Sequence, residues 1–253
     1  MSKKAVQSFF GTNAAAYATS KVHAKGASLQ RLVELVRPEP QWSALDIATA
    51  AGHTAFIFAP HVAHVTATDL TPEMLAVASD LAKEKDIQNV SFEEADAEAL
   101  PYDDNSFDLV TCRIAPHHFP HIDRFVSESF RVLRPGGVFA LVDNVSPDDT
   151  KAAIDYNHFE KERDNSHVRC LTIAEWQQII TARGFTVQSV ETADKEMEFA
   201  SWVDRFEISD STKSQLRELL LNSSGPLADF LRPASDEHGL RFYLTEALIV
   251  AKK

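Results

Sequence analysis

The chain has only two cysteines, Cys112 and Cys170, in 253 residues. Two thiols cannot build a disulfide framework, and neither belongs to a Cys-x-x-Cys pair, which removes that zinc or redox signature and makes a reducing, cytoplasmic setting the expectation. Basic residues are scarce beside acidic ones: 25 Lys and Arg against 37 Asp and Glu give a formal net charge of -12. A surface of that sign repels nucleic-acid phosphates and anionic membranes, so the expected partner is a small molecule, with no nucleic acid and no stable membrane anchoring. No stretch approaches the roughly 18 apolar residues that a membrane span requires. Residues 1–10 carry two lysines but no long apolar core, so they resemble no secretory signal. Internal repeats and low-complexity tracts are absent as well.

What is present is 44% hydrophobic and 25% charged content, enough for a sizeable core. From residue 44 onward, short apolar runs alternate with helical patterns, the order that yields βαβ units and a parallel sheet. Strands are expected at 44–48, 64–68, 90–92, 107–112, 138–142, 185–190 and 242–250. Helices are expected at 54–59, from an Asp123 N-cap to Leu133, and from a Thr172 N-cap to Arg183, with Gly184 as the stop. Residues 146–169 read as polar and helical. An insertion at 196–231 carries Trp202, Phe206, Leu216, Leu219, Leu220 and Phe230 at helical spacings, a second helical layer.

The chemistry starts where the first strand ends, in Leu45-Asp46-Ile47-Ala48-Thr49-Ala50-Ala51-Gly52-His53-Thr54. A tight turn of small residues before a helix lets backbone approach a ligand closely. A dinucleotide fingerprint would require Gly-x-Gly-x-x-Gly, and Gly52 stands alone, so an NAD site loses support. Asp69 ends the second strand, where an acid can accept both hydroxyls of a ribose; its other reading is a cap for the helix opening at Thr71-Pro72. Asp96, after the third strand, could accept from an adenine amino group.

These spacings together resemble the class I S-adenosylmethionine-dependent methyltransferases, closest to the group of ubiquinone and menaquinone C-methyltransferases and their bacterial relatives. Supporting phrases are Leu100-Pro101-Tyr102, Ser106-Phe107-Asp108, Arg131-Val132-Leu133-Arg134-Pro135-Gly136-Gly137, and the stretch Thr111 to Phe119 with Asp143-Asn144. The resemblance implies a Rossmann-like α/β fold with seven mostly parallel strands and an antiparallel last strand. It implies one domain over 1–253: an N-terminal helical lid (1–40), a cofactor-binding core (41–145) and a substrate-side half (146–253). S-adenosyl-L-methionine would be the cofactor and S-adenosyl-L-homocysteine the product. Asp46, Ala48 and Gly52, in the loop to His53, would line its methionine and ribose side. Asp69 would take the ribose hydroxyls, Leu70 would lie against adenine, Asp96 and Ala97 would meet the adenine edge, and Arg113 would lie beside the sulfonium. The acceptor would be a small molecule, aromatic or isoprenoid, and a homodimer is compatible with this reading. The alternative is a module of this fold that binds the cofactor without transferring the methyl, because Ala48 and Ala50 stand where the family has glycines. If either needs a positive φ, alanine costs about 1 kcal/mol or more.

Among substrate-side candidates, His117, His118 and His121 follow the fourth strand, where a neutral imidazole can act as a base; loop packing is the plainer reading, and no carboxylate accompanies them at zinc-ligand spacing. Tyr17 and His23 are candidate lid residues or packing residues of an amphipathic helix. The run Glu160 to Arg169 is either a solvated face or delivers Arg163, His167 or Arg169 to an anionic substrate.

Overall fold

The near-continuous apolar runs fold into parallel strands buried on both faces, as such composition requires. The computed structural model describes Gln7, Gly11 and residues 27–237 and 239–253. Its parallel strands are β1 (Ser43–Ile47), β2 (His64–Asp69), β3 (Val90–Glu94), β4 (Phe107–Arg113) and β5 (Leu133–Asn144). Two long antiparallel strands follow, β6 (Thr186–Glu198) and β8 (Gly239–Lys252), with the short β7 (Ala234–Asp236) paired to β8. The spatial order is β3-β2-β1-β4-β5-β8-β6, so the reversed final strand lies between β5 and β6. The strand count is therefore seven plus a short exposed eighth.

Helices cover both faces. On one side α1 (Ala27–Val36), α2 (His53–Phe58) and α3 (Pro72–Glu84) bury Leu32, Val36, Phe58 and Ala82 against Val65, Ala140 and Val250. On the other, α4 (Ile122–Val132) and α6 (Ile173–Ala182) pack Phe125, Val126, Trp176 and Ile180 against Phe139 and Ile249. A third cluster joins α5 (Thr150–Arg163), α7 (Phe199–Val203), α8 (Asp210–Leu221) and α9 (Gly225–Leu231) to the outer half of β8. Its centre is aromatic: Phe159 stacks on Trp202 at 4.7 Å and Phe242 meets Trp202 edge-on at 5.0 Å. Truncating Phe159 or Trp202 to Ala in such a core costs about 3–5 kcal/mol.

Several boundaries differ from the sequence expectation. β5 begins at Leu133, not 138, because Leu133 already pairs with Phe107; Arg134-Pro135-Gly136-Gly137 then bulges out of register, with Gly136 at φ 81°, before Val138 rejoins β4 at Leu109. Gly137 is obligatory there, since a Cβ would lie 2.9 Å from the Arg134 carbonyl. β6 and β8 run well past the apolar windows: the outer half of β8 alternates Leu240, Phe242 and Leu244 inward with partly exposed neighbours, a one-faced pattern that an apolar run does not show. α5 stops at Arg163, where Asp164 turns extended and its carboxylate takes the Ser166 amide and hydroxyl. The N-cap of α4 is His121, with Asp123 in the first turn. Thr172 caps α6 as expected, in a reciprocal capping box with Glu175. Tyr17 and His23 lie outside the described residues.

Candidate active site

The loop after β1 is formed by strained backbone and held by side chains beneath it. Ala48 and Ala50 both adopt left-handed conformations, φ 54° and 47°, as does Gly52 at 85°. A Cβ on Gly52 would collide with the Phe56 ring at 2.5 Å, so glycine is required there for space as well as for φ. Each alanine in this region costs roughly 1–2 kcal/mol. The loop keeps its shape because the Thr49 amide donates to the Thr68 carbonyl at 2.7 Å and the Ala50 amide to Asp69 Oδ2 at 2.9 Å. From below, Asp46 accepts from the hydroxyls of Thr49 and Thr111, both at 2.6 Å. Burial pushes Asp46 up to about 6 against those two bonds and the nearby Arg113 charge.

Asp69 bonds the backbone on both sides of it and also faces the cavity. Its Oδ1 accepts from the Thr71 amide at 2.9 Å, at the N-cap of α3, and its Oδ2 from Ala50. One amide on each oxygen leaves each with a further lone pair. Burial raises its pKa, opposed by the backbone bonds.

Asp69 lies in the wall of a cavity of about 510 Å³ at the carboxyl ends of β1, β2 and β4, the edge where open parallel sheets bind ligands. Ala48, His53, Leu70, Asp96, Ala97, Arg113, His117 and His118 share that wall. Asp46, Gly52 and His121 are not part of it: Asp46 and Gly52 shape the loop from behind, and the His121 amide bonds Glu98 at 2.7 Å. Asp96 accepts from the Glu98 amide, fixing the turn after β3. Gln7 donates to the Leu70 carbonyl at 2.6 Å, which places Gln7 at this edge.

At the end of β4 the chain kinks. Ile114, β-branched, sits at φ 53°, a rare conformation for such a residue. Beyond it a short 3-10 turn, Pro116–His118, delivers His117 to Asp143 at the end of β5. His117 Nδ1 lies 2.6 Å from Asp143 Oδ1, and its amide donates to Oδ2 at 2.9 Å. The carboxylate fixes the proton on Nδ1 and leaves Nε2 as the lone-pair nitrogen. Burial opposes protonation of His117, but the charge and hydrogen bond of Asp143 outweigh it and raise its pKa. His118, at 4.1 Å between ring centroids, and His167, at 5.6 Å, complete a stack of three imidazoles. Burial and the neighbouring His117 push His118 down to about 3, and His167, bonded to Asn157, is also held neutral by burial and its two neighbours. Asp143 thus selects one ring of three to hold a proton. Among the described residues no group of three or more metal-ligating side chains is placed to hold a metal ion.

Residues 45–141 match the family described as a methyltransferase domain. The uncharacterized methyltransferase YcgJ of Bacillus subtilis is 39% identical over 196 residues, 78% of this chain and 78% of its own. This chain belongs to the class I S-adenosylmethionine-dependent methyltransferases. The crystal structure of YcgJ superimposes with a TM-score of 0.85 at 34% identity, covering 89% of this chain and 97% of that one. The ubiquinone/menaquinone biosynthesis C-methyltransferase UbiE of Brucella canis is 43% identical over 108 residues, 41% of this chain and 40% of its own. Of the residues that the sequence resemblance assigns to the cofactor, Ala48, His53, Asp69, Leu70, Asp96, Ala97 and Arg113 line the cavity, and Asp46 and Gly52 do not. Asp143, Asn144 and His167 form the part to which residue spacing gave no catalytic role. An acid at the tip of an apolar strand, the signal that marked Asp69, marks Asp143 equally.

Proposed function

We propose that this methyltransferase transfers the methyl of S-adenosylmethionine to an O–H or C–H of a small conjugated acceptor, with His117 as the base. One observation carries the reading: a single cavity holds Asp69 on its loop of pinned amides and the His117–Asp143 pair on the opposite strand tips. The residues fit the cofactor. Asp69 keeps one lone pair on each oxygen for the ribose diol, Leu70 and Ala97 offer apolar contact beside Asp96 for adenine, and Arg113, its Nε 3.3 Å from Thr54 Oγ1, stands at the seam with the acceptor half. Bound S-adenosylmethionine supplies an activated methyl, so the protein's own work is positioning, exclusion of water and proton removal. His117 Nε2 takes the acceptor's proton, and Asp143 holds the imidazolium that results. Phe119, Trp202 and Phe206 give the wall the flat apolar lining that suits a conjugated acceptor better than a long isoprenoid chain. The buried free thiols Cys112 and Cys170 suit a reducing cytoplasm.

The alternative, a module that binds the cofactor without turnover, draws on the strain at Ala48 and Ala50. Calorimetric titration with S-adenosylhomocysteine, followed by turnover assays on a panel of phenols and enols, separates the two. Saturable heat with methylated product supports the enzyme, and heat without product across the panel supports the module. No heat at all would sink both.

A further inference from the structure

The acceptor end of the cavity has a charge and hydrogen-bond pattern of its own. Arg163, the last residue of α5, lines the cavity with its side chain 11% exposed. Its guanidinium is clamped between the rings of Trp202, at 4.4 Å, and Phe206, at 4.8 Å. Its only hydrogen bond among the described residues runs from Nη2 to Glu160 Oε2 at 2.9 Å, and Nε is buried with no acceptor. A guanidinium carries five N–H donors, and a buried one that keeps several of them unmatched is costly unless a ligand supplies the acceptors. The indole N–H of Trp202, fully buried in the same wall, also lacks an acceptor. Across from these donors, Asn144 is 8% exposed, and its Oδ1, an acceptor, has no donor among the described residues.

The wall's acids do not answer that demand. Glu160, which balances Arg163, lies behind the wall at 2% exposure. Asp164 takes the Ser166 amide and hydroxyl, both on Oδ1, and Asp204 takes Lys213 on Oδ1 at 2.6 Å; neither is hydrogen-bonded to Arg163 among the described residues. Lys195 also faces the cavity while its partner Glu246 stands behind it. In this half Arg163 and Lys195 line the cavity while the buried Glu160 and Glu246 that pair with them do not; Asp164 and Asp204 line it as well.

We propose that the acceptor is a small hydroxy carboxylic acid, whose carboxylate is taken by Arg163 and whose hydroxyl donates to Asn144 Oδ1 near the His117–Asp143 pair. The inference rests on the reading of this cavity as cofactor and acceptor site. A carboxylate supplies two acceptor oxygens in the planar geometry that a guanidinium fork matches, and the aromatic clamp fixes the fork before the ligand arrives.

The test compares two probes of equal shape, 4-hydroxybenzoate and the uncharged 4-hydroxybenzamide, titrated calorimetrically into the full-length protein with and without saturating S-adenosylhomocysteine. The acid is expected to bind at least about tenfold tighter than the amide, the scale of one charge-assisted pair. Arg163→Met should level the two, Arg163→Lys should keep part of the preference, and Asn144→Asp should weaken the acid by about tenfold or more while leaving the amide within a few-fold. Because the wild-type comparison decides on its own, a variant that fails to fold does not rescue the proposal. Equal binding of acid and amide, or binding of neither, overturns the carboxylate site even where S-adenosylhomocysteine binds and the methyltransferase reading stands. Preference for the acid without any heat from S-adenosylhomocysteine would do the reverse, keeping the carboxylate site and removing the cofactor reading.

Discussion

The two halves of the cavity, the one proposed for the cofactor and the one proposed for the acceptor, are built from different materials. The cofactor half is made of backbone: loops of a few residues at the tips of β1, β2 and β3, whose amides are pinned by Asp69 and Thr68 and whose acids sit within two residues of a strand end. The acceptor half is made of side chains brought from the end of α5, the outer part of β6 and the helix α7, segments far apart in sequence. A backbone-built site repeats wherever the fold repeats. A side-chain-built site belongs to the individual chain.

If this division is right, damage to one half should leave the other readable. Asp69→Ala removes the acceptor of two amides as well as the proposed ribose contact, so S-adenosylhomocysteine binding should fall by more than about 100-fold, measured by calorimetry. Retained binding in that variant would break the comparison at once. His117→Gln should lower kcat by about 10²- to 10⁴-fold with the dissociation constant for S-adenosylhomocysteine unchanged, and Asp143→Asn should move the acidic limb of the pH–rate profile toward lower pH as the raised pKa of His117 relaxes. A parallel loss of cofactor affinity in either variant would mean the halves are not separable.

The stack of imidazoles adds a pH dependence confined to the acceptor half. His118 is held near 3, below its unfolded value, so the folded state binds fewer protons there. Its stabilising contribution is present above about pH 6.5 and is lost as pH falls toward 3. Thermal midpoints from pH 7 down to 4 should therefore drop less steeply in His118→Gln than in the wild type. The smallest effect is expected at the strained loop. Ala50→Gly relieves roughly 1–2 kcal/mol of left-handed strain and returns about 0.5–1 kcal/mol as unfolded-chain entropy, for a gain of about 1 kcal/mol or less by denaturant unfolding. A loss of stability would mean that the alanine methyl makes contacts that outweigh its strain.

The same division explains what was legible in the sequence. The parallel strands, the reversed last strand and the acids at the strand tips could be read because an apolar run, a small-residue turn and an acid beside it are local signals; placing Asp69 and Asp96 at the cavity needed no knowledge of distant residues. Asp69 carried two readings in the sequence, ribose acceptor and helix cap; the structure puts its carboxylate on the Ala50 and Thr71 amides at the cavity wall, with Thr71 as the N-cap. Arg163 looked like a member of a solvated charge run, because nothing local announces that Trp202 and Phe206, about 40 residues on, close over it. The outer halves of β6 and β8 escaped for a related reason: strands buried on one face alternate, and their polar residues dilute the apolar window.

From Ser189 onward the ladder between β6 and β8 keeps one register to its outer end, where Glu198 pairs with Arg241. Everything between those two residues, including α7, α8 and α9, leaves and re-enters the protein at one paired point. Loop closure for that segment is therefore already satisfied by the sheet, and its length and content can change at little entropic cost. For retargeting the proposed acceptor end, this segment supplies Trp202, Asp204, Arg205 and Phe206 to the cavity wall, and Arg163, Asn144 and His117 outside it would have to change in concert.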